Sequence, residues 1–212
     1  MMADNENPLE IPEEWFEVCD WIWEGNRLFE GKRYSEALAP LSWAYDKLKK
    51  YLGVVWVVGE VKALHGFPYE YEDIMNWLNY RIGFCYMDAC DYEKAMYYLD
   101  AVWNVSTKGF MEYINVIVNS LHPSALVVVT DYLENPEKLV DIVETPEEME
   151  TVRLFLRRRL GYLYSEYGVY NRAYEIFSEL VKIPSCRKYA QMELDHINRL
   201  DAEQREKEEE ED

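Results

Sequence analysis

Small, aromatic and apolar residues return along the chain in one order at three places. Aligning Gly25, Gly83 and Gly161 brings Tyr34, Tyr92 and Tyr170 into line nine residues on, and Ala37, Ala95 and Ala173 twelve on. Leu41, Leu99 and Phe177 follow at sixteen, and Ala44, Val102 and Leu180 at nineteen. Around the glycines the apolar positions keep helical spacing, with Ile82 and Leu160 one before and Tyr86 and Tyr164 three after. Short breakers come next: Glu30-Gly31-Lys32, Ala89-Cys90-Asp91 and Tyr167-Gly168-Val169. A second helix then carries the recurrent alanine. Each unit therefore reads as a helical hairpin whose two helices approach closely at glycine and alanine. A hairpin of this size cannot bury its apolar face alone, so the pattern predicts stacking against neighbours.

The punctuation between the units sets the expected element boundaries. Residues 1–11 read as a flexible lead. Pro12, with Glu13 and Glu14, suits a first helical turn. The first pair is expected at 12–30 and 34–50, the second at 70–89 and 92–105, and the third at 147–167 and 170–183. Between the first two lies an insert, with a helix expected near 54–64 and a break at His65-Gly66-Phe67-Pro68. In the second insert Leu121-His122-Pro123 ends one apolar helix and starts another. Asn135-Pro136-Glu137 and Thr145-Pro146-Glu147-Glu148 each set a capping residue before a proline, the latter in capping-box spacing. Pro184 ends the third pair, and a final helix near 186–204 is expected to cap the stack. The reading is one domain over 12–200, with repeats near 18–50, 76–105 and 154–183, inserts 51–70 and 106–146, and an acidic tail 201–212.

The segments WIWEGNRLFEGKRYSEALAPLSWAY, NYRIGFCYMDACDYEKAMYYLDAV and RRRLGYLYSEYGVYNRAYEIFSEL resemble the tetratricopeptide repeat family. The resemblance implies an all-α fold of stacked antiparallel hairpins, a tetratricopeptide-like α-solenoid that binds proteins. The family repeats about every 34 residues, whereas the glycines here stand 58 and 78 apart. The array is therefore expected to be irregular, and the second insert is long enough for a degenerate repeat. Trp21 fills the large position before the first glycine, but Asn79 and Arg157 stand there in the other units.

Composition narrows the possible partners. The chain is 49% hydrophobic and 15% aromatic, with 18 tyrosines, which excludes a wholly disordered polymer. A net charge of −19 argues against nucleic acid and against anionic membrane surfaces. No basic residue precedes Arg27, and the tail Asp201–Asp212 holds eight acids and two bases. That run reads as a solvated, fraying end or as a docking strip for a basic partner. The N-terminus lacks a signal-peptide pattern, and no apolar run reaches the length of a membrane span. Cys19, Cys85, Cys90 and Cys186 are expected to be reduced thiols of a cytoplasmic protein.

Helical geometry then picks out a candidate surface. At about 100° per residue, one side of each first helix faces its partner, and the resemblance implies that the other side lines a concave groove. That side carries Cys19, Ile22, Trp23, Asn26, Phe29 and Glu30 in the first unit, and Trp77, Tyr80, Arg81, Phe84, Met87 and Asp88 in the second. In the third it carries Phe155, Arg158, Arg159, Tyr162, Ser165 and Glu166. Aromatics and arginines are the residues that interface hot spots favour. The binding candidates are thus Trp23, Asn26, Phe29, Trp77, Tyr80, Arg81, Phe84, Phe155, Arg158, Arg159 and Tyr162. They are expected to take an apolar peptide or helix with a carboxylate near the arginines. Two arrangements are open: the inserts fold over this face, or a partner does. Some family members clamp a C-terminal carboxylate, and Asn26 and Arg159 match two places of that clamp. Ile22 and Phe155 stand where its lysines would be, so the clamp is not expected here.

Catalytic signals are poor. His65, His122 and His196 are scattered, Cys85 and Cys90 lack metal-ligand spacing, and no phosphate-binding glycine loop occurs. The expectation is a non-enzymatic protein-binding module without cofactor or metal. The alternatives are a dedicated chaperone or neutralising partner acting through its acidic surface, and a homo-oligomeric structural protein.

Overall fold

A computed structural model describes residues 13–55 and 70–211, without the side chains of 14, 51–55, 71 and 204–211. Among the described residues the fold is all-α, with nine α-helices, one short 3₁₀ helix and no strand. Contacts divide the chain into two compact units, Met1–Val105 and Ser106–Asp212. The first holds α1 (Glu13–Glu30), α2 (Tyr34–Val55), α3 (Tyr71–Asp88) and α4 (Tyr92–Leu99). In it α1 packs on α2, α2 on α3, and α3 on α4. The second holds α5 (Thr107–Asn119), α6 (Ala125–Glu134), the 3₁₀ turn Pro136–Leu139, α7 (Pro146–Glu166), α8 (Tyr170–Leu180) and α9 (Arg187–Glu211). There α7 packs on α5, α6 and α8, and α9 lies against α7 and α8. The helix expected near 54–64 falls, apart from the last residues of α2, outside the described residues, as do the break at 65–68 and the lead 1–11.

The aligned positions do the same packing work in all three hairpins. Tyr34, Tyr92 and Tyr170 each open the second helix. The alanines Ala37, Ala95 and Ala173 are fully buried, as are Leu41, Leu99 and Phe177. A Cβ at Gly25 would stand 2.6 Å from Leu41 Cδ2, at Gly83 2.6 Å from Leu99 Cγ, and at Gly161 2.7 Å from Phe177 Cζ. Such separations lie well inside carbon–carbon contact of about 3.5–4.0 Å. The glycine and the residue sixteen places on are thus one packing pair, repeated three times.

The turns share a second register that the residue pattern did not announce. Seven residues after each glycine the backbone enters the left-handed region, at Lys32 (φ 58°), Cys90 (φ 59°) and Gly168 (φ 71°). The next residues, Arg33, Asp91 and Val169, donate their N–H to the carbonyls of Leu28, Tyr86 and Tyr164 at 2.9, 2.9 and 2.8 Å. The left-handed residues donate to Phe29, Met87 and Ser165. Paired bonds of this kind satisfy carbonyls that a helix end leaves open. Leu121 (φ 49°) ends α5 in the same way, with His122 donating to Ile117 at 2.9 Å. The second insert therefore contains a further hairpin, α5–α6, closed by the same turn.

Several boundaries differ from expectation. α4 stops at Leu99 rather than near 105, and turns carry the chain from Asp100 to Val105. Extended backbone at Ser106, whose hydroxyl accepts the N–H of Gly109 at 3.1 Å, starts α5 instead. The Asn135 side chain makes no capping bond to the turn after it. Its amide reaches back to Asp131, at 2.8 Å from Oδ1, and only a single 3₁₀ turn forms. Thr145 behaves as expected, accepting the N–H of Glu148 at 3.2 Å. The Glu148 carboxylate accepts from Glu144, one residue upstream of the expected donor. α9 continues as helix to Glu211.

Candidate functional site

Because α2 packs against both α1 and α3, those two helices present their remaining faces beside one another in the first unit. Between them runs a cleft of about 840 Å³. From α1 it is lined by Cys19, Asp20, Ile22, Trp23, Asn26 and Glu30, and from α3 by Asp73, Ile74, Trp77 and Arg81. Along α1 the lining runs from Cys19 to Glu30, roughly 16 Å at the helical rise. The volume falls in the range of about 300–1,000 Å³ typical of ligand pockets. Four of the predicted residues, Trp23, Asn26, Trp77 and Arg81, meet here.

Trp23 is 67% exposed, which is costly for so large an apolar side chain. Asn26 contributes an unusual polar feature: its Oδ1 is buried and accepts no hydrogen bond. Sealed from solvent without a partner, that oxygen carries a desolvation penalty within the fold. Arg81 is held from three sides. Its guanidinium lies 4.3 Å from the ring centre of Phe29 and 4.4 Å from that of Trp77, and Nη2 donates to Glu30 Oε1 at 2.8 Å. Its side chain is only 13% exposed, and Nε is buried without a partner. Arg81 thus ties α3 to α1 and forms one end wall of the cleft. It is not a free guanidinium waiting for a carboxylate.

Phe29 and Phe84 pack with Tyr34 in edge-on contacts of 5.0–5.4 Å, and Tyr80 stands 6.4 Å from Phe84. This aromatic cluster joins α1, α2 and α3 and leaves those three candidates, Phe29, Tyr80 and Phe84, out of the cleft lining.

In the second unit the corresponding face of α7 is covered. Phe155, expected to line a groove, is buried at 7% exposure. Arg158 stacks 3.9 Å from the ring centre of Tyr189 on α9, and Arg159 lies 5.3 Å from that of Phe155. Burial lowers the pKa of Arg159 from the ordinary arginine value, and burial likewise raises that of Glu112 on α5. Asn115 donates to the Glu112 carboxylate at 2.9 Å. Burial also raises the Tyr162 hydroxyl, with Glu166 adding to the effect. Of the two arrangements left open by the sequence, this one matches the covered face, with α5 of the second insert and α9 as the cover.

Two of the thiols, Cys19 and Cys85, are held in their protonated form. Burial, reinforced by Asp20, raises Cys19 above its ordinary value, and burial pushes Cys85 up to about 12. Among the described residues no group of three or more His, Cys, Asp or Glu side chains is arranged to hold a metal ion. Among them, too, no helix is long and apolar enough to cross a membrane. Asp20, Asp73 and Ile74 line the cleft without having been singled out. Asp73, Ile74, Trp77 and Arg81 form one helical stripe, so extending it a turn towards the start of α3 would have found two of them. No known protein family, curated protein or solved structure matches the chain.

Proposed function

We propose that the protein is a non-catalytic binding module of tetratricopeptide-like hairpins, and that the cleft between α1 and α3 receives a peptide or helix of a partner protein. The observation that carries this reading is Trp23, 67% exposed where it lines the cleft. Exposed indole area beside a cleft of this size is what a docked segment would use for apolar burial. Four free thiols suit a cytoplasmic setting.

The test is selection of peptides from a displayed random dodecapeptide library on the full chain, followed by anisotropy titration of the synthetic ligand. Trp23→Ala should weaken binding by about 10-fold or more, as truncation of a hot-spot aromatic does. Unchanged far-UV circular dichroism would show that the fold persists. Equal affinity for both forms would refute the site.

A further inference from the structure

We infer that the occupant of the α1–α3 cleft presents a cationic side chain, lysine or arginine, among apolar residues, rather than a carboxylate. The inference rests on the reading of the cleft as a peptide site and specifies the chemistry of its ligand. Three acids, Asp20, Glu30 and Asp73, line the cleft against one base, Arg81. The base is already spent: Arg81 pairs with Glu30 and is stacked between Phe29 and Trp77. At the opposite end Asp20 from α1 and Asp73 from α3 are both exposed, and neither makes an ion pair with a described residue. A carboxylate entering here would meet two like charges and no available cation. A lysine or arginine would meet two carboxylates.

The apolar part of the lining points the same way. Ile22, Trp23, Ile74 and Trp77 lie between Asp20 and Asp73 at one end and the Arg81–Glu30 pair at the other. A long aliphatic stem can lie along such a wall while its charged head reaches carboxylates and an indole face. The net charge of −19 adds a long-range attraction for the same class of partner.

The peptide selection decides the point when counter-selected on Trp23→Ala. Ligands should be enriched in lysine or arginine flanked by aliphatic or aromatic residues. Replacing that cation by glutamate in the synthetic peptide should weaken binding by about 10-fold or more, the scale of a close charge pair. Asp20→Asn/Asp73→Asn in the protein should cost a similar factor, and added salt should narrow the difference. Glu134→Gln/Glu150→Gln removes the same charge from exposed positions of the second unit and should change affinity by less than about 2-fold. Trp23-dependent ligands that are neutral or acidic, and indifferent to Asp20→Asn/Asp73→Asn, would overturn the cation while leaving the cleft as a peptide site. Equal losses in both charge variants would overturn it too, since attraction would then be diffuse. Ligands that bind Trp23→Ala as well as wild type would overturn the cleft reading and this inference with it.

Discussion

Gly83→Ala should change sign with its background. The added Cβ would stand 2.6 Å from Leu99 Cγ, 3.0 Å from Leu99 Cδ2 and 3.3 Å from the Ala95 carbonyl. Leu99 is fully buried, and Cγ is its branch point rather than a movable tip, so relief requires the helices to part. Overpacking of this kind costs about 1–3 kcal/mol, and a contact this short belongs at the upper end. Alanine in a helix interior returns about 1 kcal/mol relative to glycine. The net expectation is a loss of about 2 kcal/mol. Leu99→Ala alone should cost about 2–5 kcal/mol through its cavity. In that background the Leu99 clash is gone and only the 3.3 Å approach to the Ala95 carbonyl remains, so Gly83→Ala should stabilise by up to about 1 kcal/mol. The coupling between the two sites is then up to roughly 3 kcal/mol. Urea titrations of the four proteins, followed by circular dichroism, measure it. A gain of about 1 kcal/mol in both backgrounds would refute the close packing of glycine on the residue sixteen places on.

Two further expectations concern the turns and the buried carboxylate. Cys90→Gly should stabilise by up to about 1 kcal/mol, because a side chain in the left-handed region is strained. Gly168→Ala should destabilise by about the same amount, through backbone alone, because no atom lies within 4 Å of the added Cβ; thermal melts of both check the opposite signs. Burial raises the Glu112 carboxyl, so its ionised form opposes folding. That cost is absent below the ordinary glutamate value of about 4.3 and grows as pH rises through the raised value in the fold. Glu112→Gln should therefore match wild type near pH 4 and become the more stable form towards neutral pH. A constant difference across the range, followed by melting temperature against pH, would contradict the sign.

How much could be read in advance depends on which interactions are local. The hairpins were legible because glycine, tyrosine, alanine and a large apolar residue recur at offsets that one helix–turn–helix imposes. The glycine pairs come from that same pattern. The left-handed turn residues were not legible, since Lys32 and Cys90 carry no glycine to mark them. For Arg81 the place was legible and the partner was not. Its helical position faces the cleft, but the Glu30 that occupies it stands 51 residues earlier, and no local pattern reports that pairing. Arg158 and Arg159 illustrate the same limit, because their partners, Tyr189 on α9 and Glu112 on α5, lie outside the repeat pattern. The start of α5 at Thr107 is fixed by the Ser106 cap, a polar signal that the apolar positions alone do not show.

A ligand seated between α1 and α3 is reported directly by indole N–H resonances. A ¹⁵N-labelled sample of the full chain, titrated with the selected peptide, should show shifts of Trp23 and Trp77, assigned with Trp23→Phe and Trp77→Phe. Trp43, which belongs to a separate surface with Trp21, Asp46 and Lys47, should stay in place. A peptide that binds while Trp23 and Trp77 keep their positions would place its site outside the α1–α3 cleft.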